Sequence, residues 1–199
     1  TDAAGRQQVI SQPYYSSTTL LRTGLNEYSF EAGAVRQDYG QRSGAYGDVA
    51  AAATFRRGIS DRFTAEAHAE GRSGNGPRAA GVGGAWQTGE LGVVTAAVAA
   101  GADRDGSGWL GGVGFERNGS LLTVFARAQY ASESFAQLGS DSFEERPRQQ
   151  LFGGMGLNFG ASGSLQLAYG QQGFWGASTV ETLGLGYSLT LRRLGFFSL

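Results

Sequence analysis

Residues 62–70 read Arg-Phe-Thr-Ala-Glu-Ala-His-Ala-Glu. Phe63, Ala65, Ala67 and Ala69 take every second place, and Arg62, Thr64, Glu66, His68 and Glu70 take the others. Side chains of an extended chain point alternately to opposite faces, so this order puts the apolar groups on one face of a strand and the polar groups on the other. A helix would align Arg62, Glu66 and Glu70, but it would strand Thr64 and His68 on the wrong side. The stretch therefore reads as a half-polar β-strand.

The same period of two runs outward in both directions. Upstream, Tyr28, Phe30, Ala32 and Ala34 alternate with Glu27, Ser29, Glu31 and Gly33, and Val49, Ala51, Ala53 and Phe55 form a second apolar row. Downstream, apolar rows recur in 78–87, 108–117, 120–131, 149–159, around Leu165–Tyr169 and around Leu183–Leu189. Residues 90–100 are apolar on both faces, and an eleventh strand begins near Arg193. Polar loops at 37–47, 71–77, 101–107, 132–148 and 172–178 alternate with short turns at 58–61, 88–89, 118–119 and 160–162. Asn118 and Gly119 predict a type I′ hairpin. Strands of about ten residues, long loops on one rim and short turns on the other are the pattern of a transmembrane β-barrel. About ten residues at roughly 3.3 Å each, tilted near 40°, span about 25 Å, the height of the apolar band. The fold class expected is all-β: an antiparallel meander forming about 10–11 strands of a larger barrel. Phe55, Phe63, Trp86, Phe115 and Phe159 lie near the short turns on the apolar face, which predicts an aromatic girdle at that rim.

Composition agrees and excludes much else. The chain has 199 residues, 16 basic, 17 acidic and one His, for a net charge of −1. Near-neutrality argues against nucleic acid as a partner. There is no Cys, hence no disulfide, thiolate metal site or thiol nucleophile. The 34 Gly, about 17% against a usual share of roughly 7%, come with only 3 Pro, so the chain is neither collagen-like nor a Pro-rich linker. The longest apolar stretch, 91–102, is too short for a spanning helix of about 20 residues. Thr1 opens neither a signal peptide nor a natural start, so the chain is expected to be a piece of something longer.

No catalytic, cofactor or metal constellation emerges. The Gly clusters at 81–84, 111–114 and 153–156 never complete GxGxxG and precede no helix, so they read as room in a barrel wall rather than a phosphate cradle. Glu66, His68 and Glu70 share a face at strand spacing, but no second His or Cys completes a metal site, and a wet charged wall explains them. The GADRDGSG run at 101–108 lacks the distal Glu of an EF-hand and reads as a solvated loop. The candidate lumen-facing residues are Glu27, Glu31, Arg56, Arg62, Glu66, His68, Glu70, Arg127 and Gln129. A water-filled lumen screens such charges, so each is expected to contribute on the order of 0–1 kcal/mol.

Residues 13–40 read PYYSSTTLLRTGLNEYSFEAGAVRQDYG, and residues 55–70 read FRRGISDRFTAEAHAE. Both closely resemble the outer-membrane ushers of chaperone–usher pilus assembly. The resemblance implies a central fragment of a translocation barrel: residues 1–25 a lead-in segment following the plug region, residues 26–199 an incomplete pore segment. It implies a non-enzymatic role in the outer membrane of a Gram-negative bacterium, with no cofactor. The partners implied are outer-membrane lipid, pilus subunits and periplasmic chaperone–subunit complexes, which exchange donated strands. The other readings of the strand pattern are a passive porin-like diffusion channel and a soluble β-rich binding domain whose Phe63, Ala65 and Ala67 face is an internal core.

Overall fold

The structure is a computed structural model that describes residues 17–36, 44, 46–140, 146–191 and 195–198. Eleven strands form one sheet in strict sequence order, each antiparallel to the next. They are β1 Asn26–Arg36, β2 Tyr46–Ser60, β3 Phe63–Arg72, β4 Arg78–Gln87, β5 Val93–Asp103 and β6 Gly106–Asn118. Then come β7 Leu122–Ala131, β8 Pro147–Asn158, β9 Ser164–Phe174, β10 Val180–Leu191 and β11 Gly195–Ser198. This is the meander that alternation demands, and it is the wall of a β-barrel segment. Among the described residues no helix is long and apolar enough to cross a membrane, which says nothing of strands that do so.

The ladders carry one face across the sheet. Tyr28 pairs Phe55, Phe55 pairs Ala67, Ala67 pairs Val82 and Val82 pairs Val98, so all five lie in one row. Phe63, Trp86, Val94 and Phe115 form another. Their side chains stay exposed: Tyr28, Phe55, Val82, Trp86 and Val98 are among the large exposed apolar groups. Three of the five girdle aromatics therefore share one rung, while Phe55 sits four residues further along and Phe159 lies in the turn.

The connections correct the sequence reading in several places, and the turn expected at 58–61 narrows to Asp61 and Arg62 because β2 runs on to Ser60. The loop expected over 101–107 is a two-residue turn, Arg104 and Asp105, because Gly101, Ala102 and Asp103 keep pairing with Gly108, Ser107 and Gly106. Ladder hydrogen bonds need no apolar side chains, so the strands outrun their apolar rows there. The turn expected at 88–89 widens to a 3-10 turn, Gly89–Leu91, closed by Thr88 N–H donating to the Gly92 carbonyl at 2.8 Å. The Asn-Gly hairpin is not type I′, which needs both central residues at positive φ. Gly119 is absent from the positive-φ glycines, Asn118 pairs with Thr123, and the loop closes through Gly119 N–H to the Leu122 carbonyl at 3.1 Å. The Asn118 side chain donates to Glu116 at 2.8 Å instead of shaping the turn. The short turn expected at 160–162 is there, as a 3-10 turn Gly160–Ser162. Part of the 37–47 loop lies outside the described residues.

Candidate functional site: the polar face

The other face of the sheet gathers the charged residues. The register aligns Glu27 with Arg56 and Arg56 with Glu66 in one row, and Ser29, Thr54 and His68 in the next. Glu31 and Glu70 both flank Ala52 in a third. Arg127 lies opposite Gly114 and Phe152, and Gln129 opposite Gly112 and Gln150. Arg62 sits apart, in the β2–β3 turn, where its carbonyl accepts from Gln87 N–H at 2.8 Å.

These groups are tied to one another rather than poised on a ligand. Arg56 Nη1 donates to Glu27 Oε2 at 2.7 Å. Its Nε lies 3.2 Å from Glu66 Oε2, an ionic contact without hydrogen-bond alignment. Arg56 and Glu66 are only 11% and 10% exposed, so this pair stands outside the screened, solvated charges expected of a lumen wall. His68 Nδ1 bonds Thr54 Oγ1 at 2.8 Å, and Nε2 meets Glu70 Oε2 at 3.1 Å. Glu70 Oε1 then accepts the Leu138 backbone N–H at 2.7 Å. Glu66 thus turns to Arg56, whereas His68 and Glu70 meet each other and reach on to Thr54 and Leu138. Among the described residues no group of three His, Cys, Asp or Glu could hold a metal.

Two segments outside the strands lie on this face, and alternation alone announced neither. The first is 17–25. Leu21 N–H donates to Thr64 Oγ1 at 2.8 Å, and Thr64 is 1% exposed. Arg56 Nη2 donates to the Thr19 carbonyl. Gly24 and Leu25 join the β2 end, with Gly24 N–H to Gly58 O at 2.8 Å and Gly58 N–H to Leu25 O at 3.0 Å. A Cβ on Gly58 would strike the carbonyls of Leu21 and Arg22, so the close approach requires glycine. Thr23 donates from both N–H and Oγ1 to Asp61 Oδ1, at 3.1 and 2.6 Å. Those two bonds, the side-chain one first, hold the exposed Asp61 carboxyl below its ordinary value.

The second segment is 132–140, expected as part of a free loop. It turns inward across β6, β5 and β4 towards β3. Phe135 and Ala136 are buried, and Phe135 clusters with Ala79, Ala99, Leu110 and Ala131. Phe135 packs on Ala99 of β5, whose two apolar faces gave no orientation: Val94, Ala96 and Val98 are exposed, whereas Thr95, Ala97 and Ala99 are buried. At the same rim, on the opposite face, Trp109 and Tyr130 rings lie 5.5 Å apart, and Trp175 meets Tyr130 edge-on at 6.3 Å. Trp175 Nε1 donates to the Ala131 carbonyl at 3.1 Å, and the Arg148 guanidinium sits 5.7 Å from its ring centroid. This second aromatic cluster joins residues too far apart in sequence to be read together.

The sheet thus has one apolar exposed face and one polar face that carries folded-in chain. The solved structure of the P pilus usher (PapC) translocation pore superposes on this chain with a TM-score of 0.73. The fold is that of an usher pore segment. Sequence identity is 16%; the likeness covers 90% of this chain and 39% of the PapC chain. That neighbour is a translocation pore. No protein-family model and no curated protein matches the sequence.

Proposed function

We propose that this chain is wall from the middle of an outer-membrane usher pore, which assembles and secretes pilus subunits delivered by a periplasmic chaperone. The observation that carries the reading is the unbroken eleven-stranded meander and its 90% coverage by the PapC pore fold. Lipid contacts the Tyr28, Val82, Trp86 and Val98 face, because an exposed apolar face of this extent needs a non-aqueous neighbour. Glu27, Glu31, Arg56, Glu66, His68, Glu70, Arg127 and Gln129 then line the lumen, with Arg62 at the turn beneath them. Residues 1–25 are the lead-in that follows a plug region; 1–16 lie outside the described residues, and 17–25 follow the inner wall. No residue is assigned a catalytic, cofactor or metal role. Chaperone–subunit complexes meet the intact protein, and strand exchange between subunits supplies the driving free energy.

The test is removal of the protein from its native bacterium, followed by surface-pilus counts and small-solute uptake. Loss of pili with normal uptake is expected. Retained pili with slowed solute uptake would replace the usher reading with the porin-like channel.

A further inference from the structure

We propose that residues 132–140 form a fixed inner shelf that narrows the pore, seated by Phe135 over Gly101 and Gly108. The proposal rests on the pore reading above for its consequence, but its geometry stands alone. Ser132 opens the shelf: its N–H donates to the Trp109 carbonyl at 2.9 Å, and its Oγ accepts from Trp109 N–H at 2.8 Å. The chain then reverses through Phe135 N–H to the Ser132 carbonyl at 3.0 Å. A second turn, Ser140 N–H to the Gln137 carbonyl at 2.9 Å, with Gly139 at φ 85°, closes the far end. In between, the Leu138 N–H reaches Glu70 Oε1.

The wall beneath is cut to receive it. Glu70, Ala79, Gly101 and Gly108 are successive partners in one cross-strand row. A Cβ on Gly101 would strike the Ala136 carbonyl and come within 2.9 Å of the Phe135 ring. A Cβ on Gly108 would strike the Phe135 nitrogen and the Ser132 hydroxyl. Glycine at these two places is therefore room for the shelf. The return of the chain is clasped separately: Arg146 Nη2 donates to Asp103 Oδ2 at 2.6 Å, its Nη1 to the Glu133 carbonyl at 3.3 Å, and Trp175 N–H to the Arg146 carbonyl at 2.8 Å. An anchored aromatic, a hydrogen-bonded tip and an ion-paired root fix the segment against the wall, so it takes bore from the pore rather than waving in it.

The chain has no cysteine, so a single Ala136→Cys reports on the seat without background. In the intact, membrane-inserted protein, Cys at 136 should resist a membrane-impermeant maleimide, since Ala136 is 0% exposed. Adding Phe135→Ala or Gly101→Val should open it to labelling. Retained heat-modifiable migration checks that the barrel still folds; the Phe135→Ala arm, altered only in the loop, keeps the test alive if Gly101→Val does not. In planar bilayers the same two variants should raise single-channel conductance by about 1.5-fold or more, because bore sets flux in a water-filled pore. Full labelling of Ala136→Cys in the otherwise unaltered protein overturns the shelf. Labelling gained on release with unchanged conductance overturns its role as a constriction. No conductance from the unaltered protein would overturn the pore reading, and this consequence with it.

Discussion

Among the described residues, the polar face is covered at β2–β6 and open over most of β8–β10, Gln150 excepted. On the first side, Thr64, Thr95, Ala97, Ala99 and Leu110 are buried although they lie on one face of a single sheet. On the second, Phe152, Gln166, Ala168 and Thr182 are exposed, and an open hollow of about 560 Å³ is bounded by Thr123, Phe125, Gly154, Gln166 and Ser188. Both sides alternate, and both carry small residues on the polar face. What separates them, among the described residues, is whether another segment lies on top. The lead-in covers the β2–β3 corner and 132–140 covers β4–β6. Small residues on a strand thus have two meanings: space already filled, or space left open.

The largest expected effect is at the covered corner. Arg56→Ala removes the guanidinium 3.2 Å from Glu66 Oε2, and Glu66 is 10% exposed. Breaking a buried pair by deleting one member leaves an uncompensated charge and costs about 3 kcal/mol or more. On the bare side, Gln166 is exposed on the same face, opposite Gly156, and Gln166→Ala should stay within about 0.5 kcal/mol. Urea unfolding in lipid vesicles measures both. Equal small effects would return Arg56 to the class of screened wall charges.

Glycine-to-alanine changes sharpen the contrast at intermediate size. Gly108→Ala drives a methyl into Phe135 and Ser132 and should cost about 1–3 kcal/mol. Gly184→Ala meets only ordinary contact, Ala168 Cβ at 3.9 Å, and should stay within about 0.5 kcal/mol. The same unfolding assay separates them. If Gly184→Ala proved as costly, something outside the described residues would have to cover β10.

These contrasts mark what the sequence disclosed. Alternation placed β4 at Arg78–Gln87 and assigned faces on β1 to β3, because Phe63, Ala65 and Ala67 against Thr64, Glu66 and His68 leave one orientation. It could not assign β5, whose Val94 and Ala97 are equally apolar, nor see that Leu110 is buried under Phe135. Burial by a segment some twenty-five residues away leaves no period in the strand itself. The same limit hid the Leu21–Thr64, Leu138–Glu70 and Trp175–Ala131 bonds, which span 43, 68 and 44 residues. Loop ends failed differently: Asp103 and Gly106 look like turn residues yet pair, since a ladder is built from backbone.

The smallest effect expected is a pH dependence at the lead-in. Asp61 accepts both bonds from Thr23, and its carboxyl is held below the ordinary value of 3.8. The folded state therefore favours the ionised form. Its contribution is complete above the ordinary value and is lost as pH falls through the lowered one. Asp61 is fully exposed, so the change is local: the 17–25 segment should loosen while the strands hold. Hydrogen-exchange protection of the Thr23 amide, corrected for intrinsic rate, should fall as pH drops below about 4. Asp61→Asn keeps an acceptor oxygen but no titrating group, and should flatten that dependence. An Asn variant that lost protection over the same acid range would show that another group, not Asp61, ties the lead-in to the β2–β3 turn.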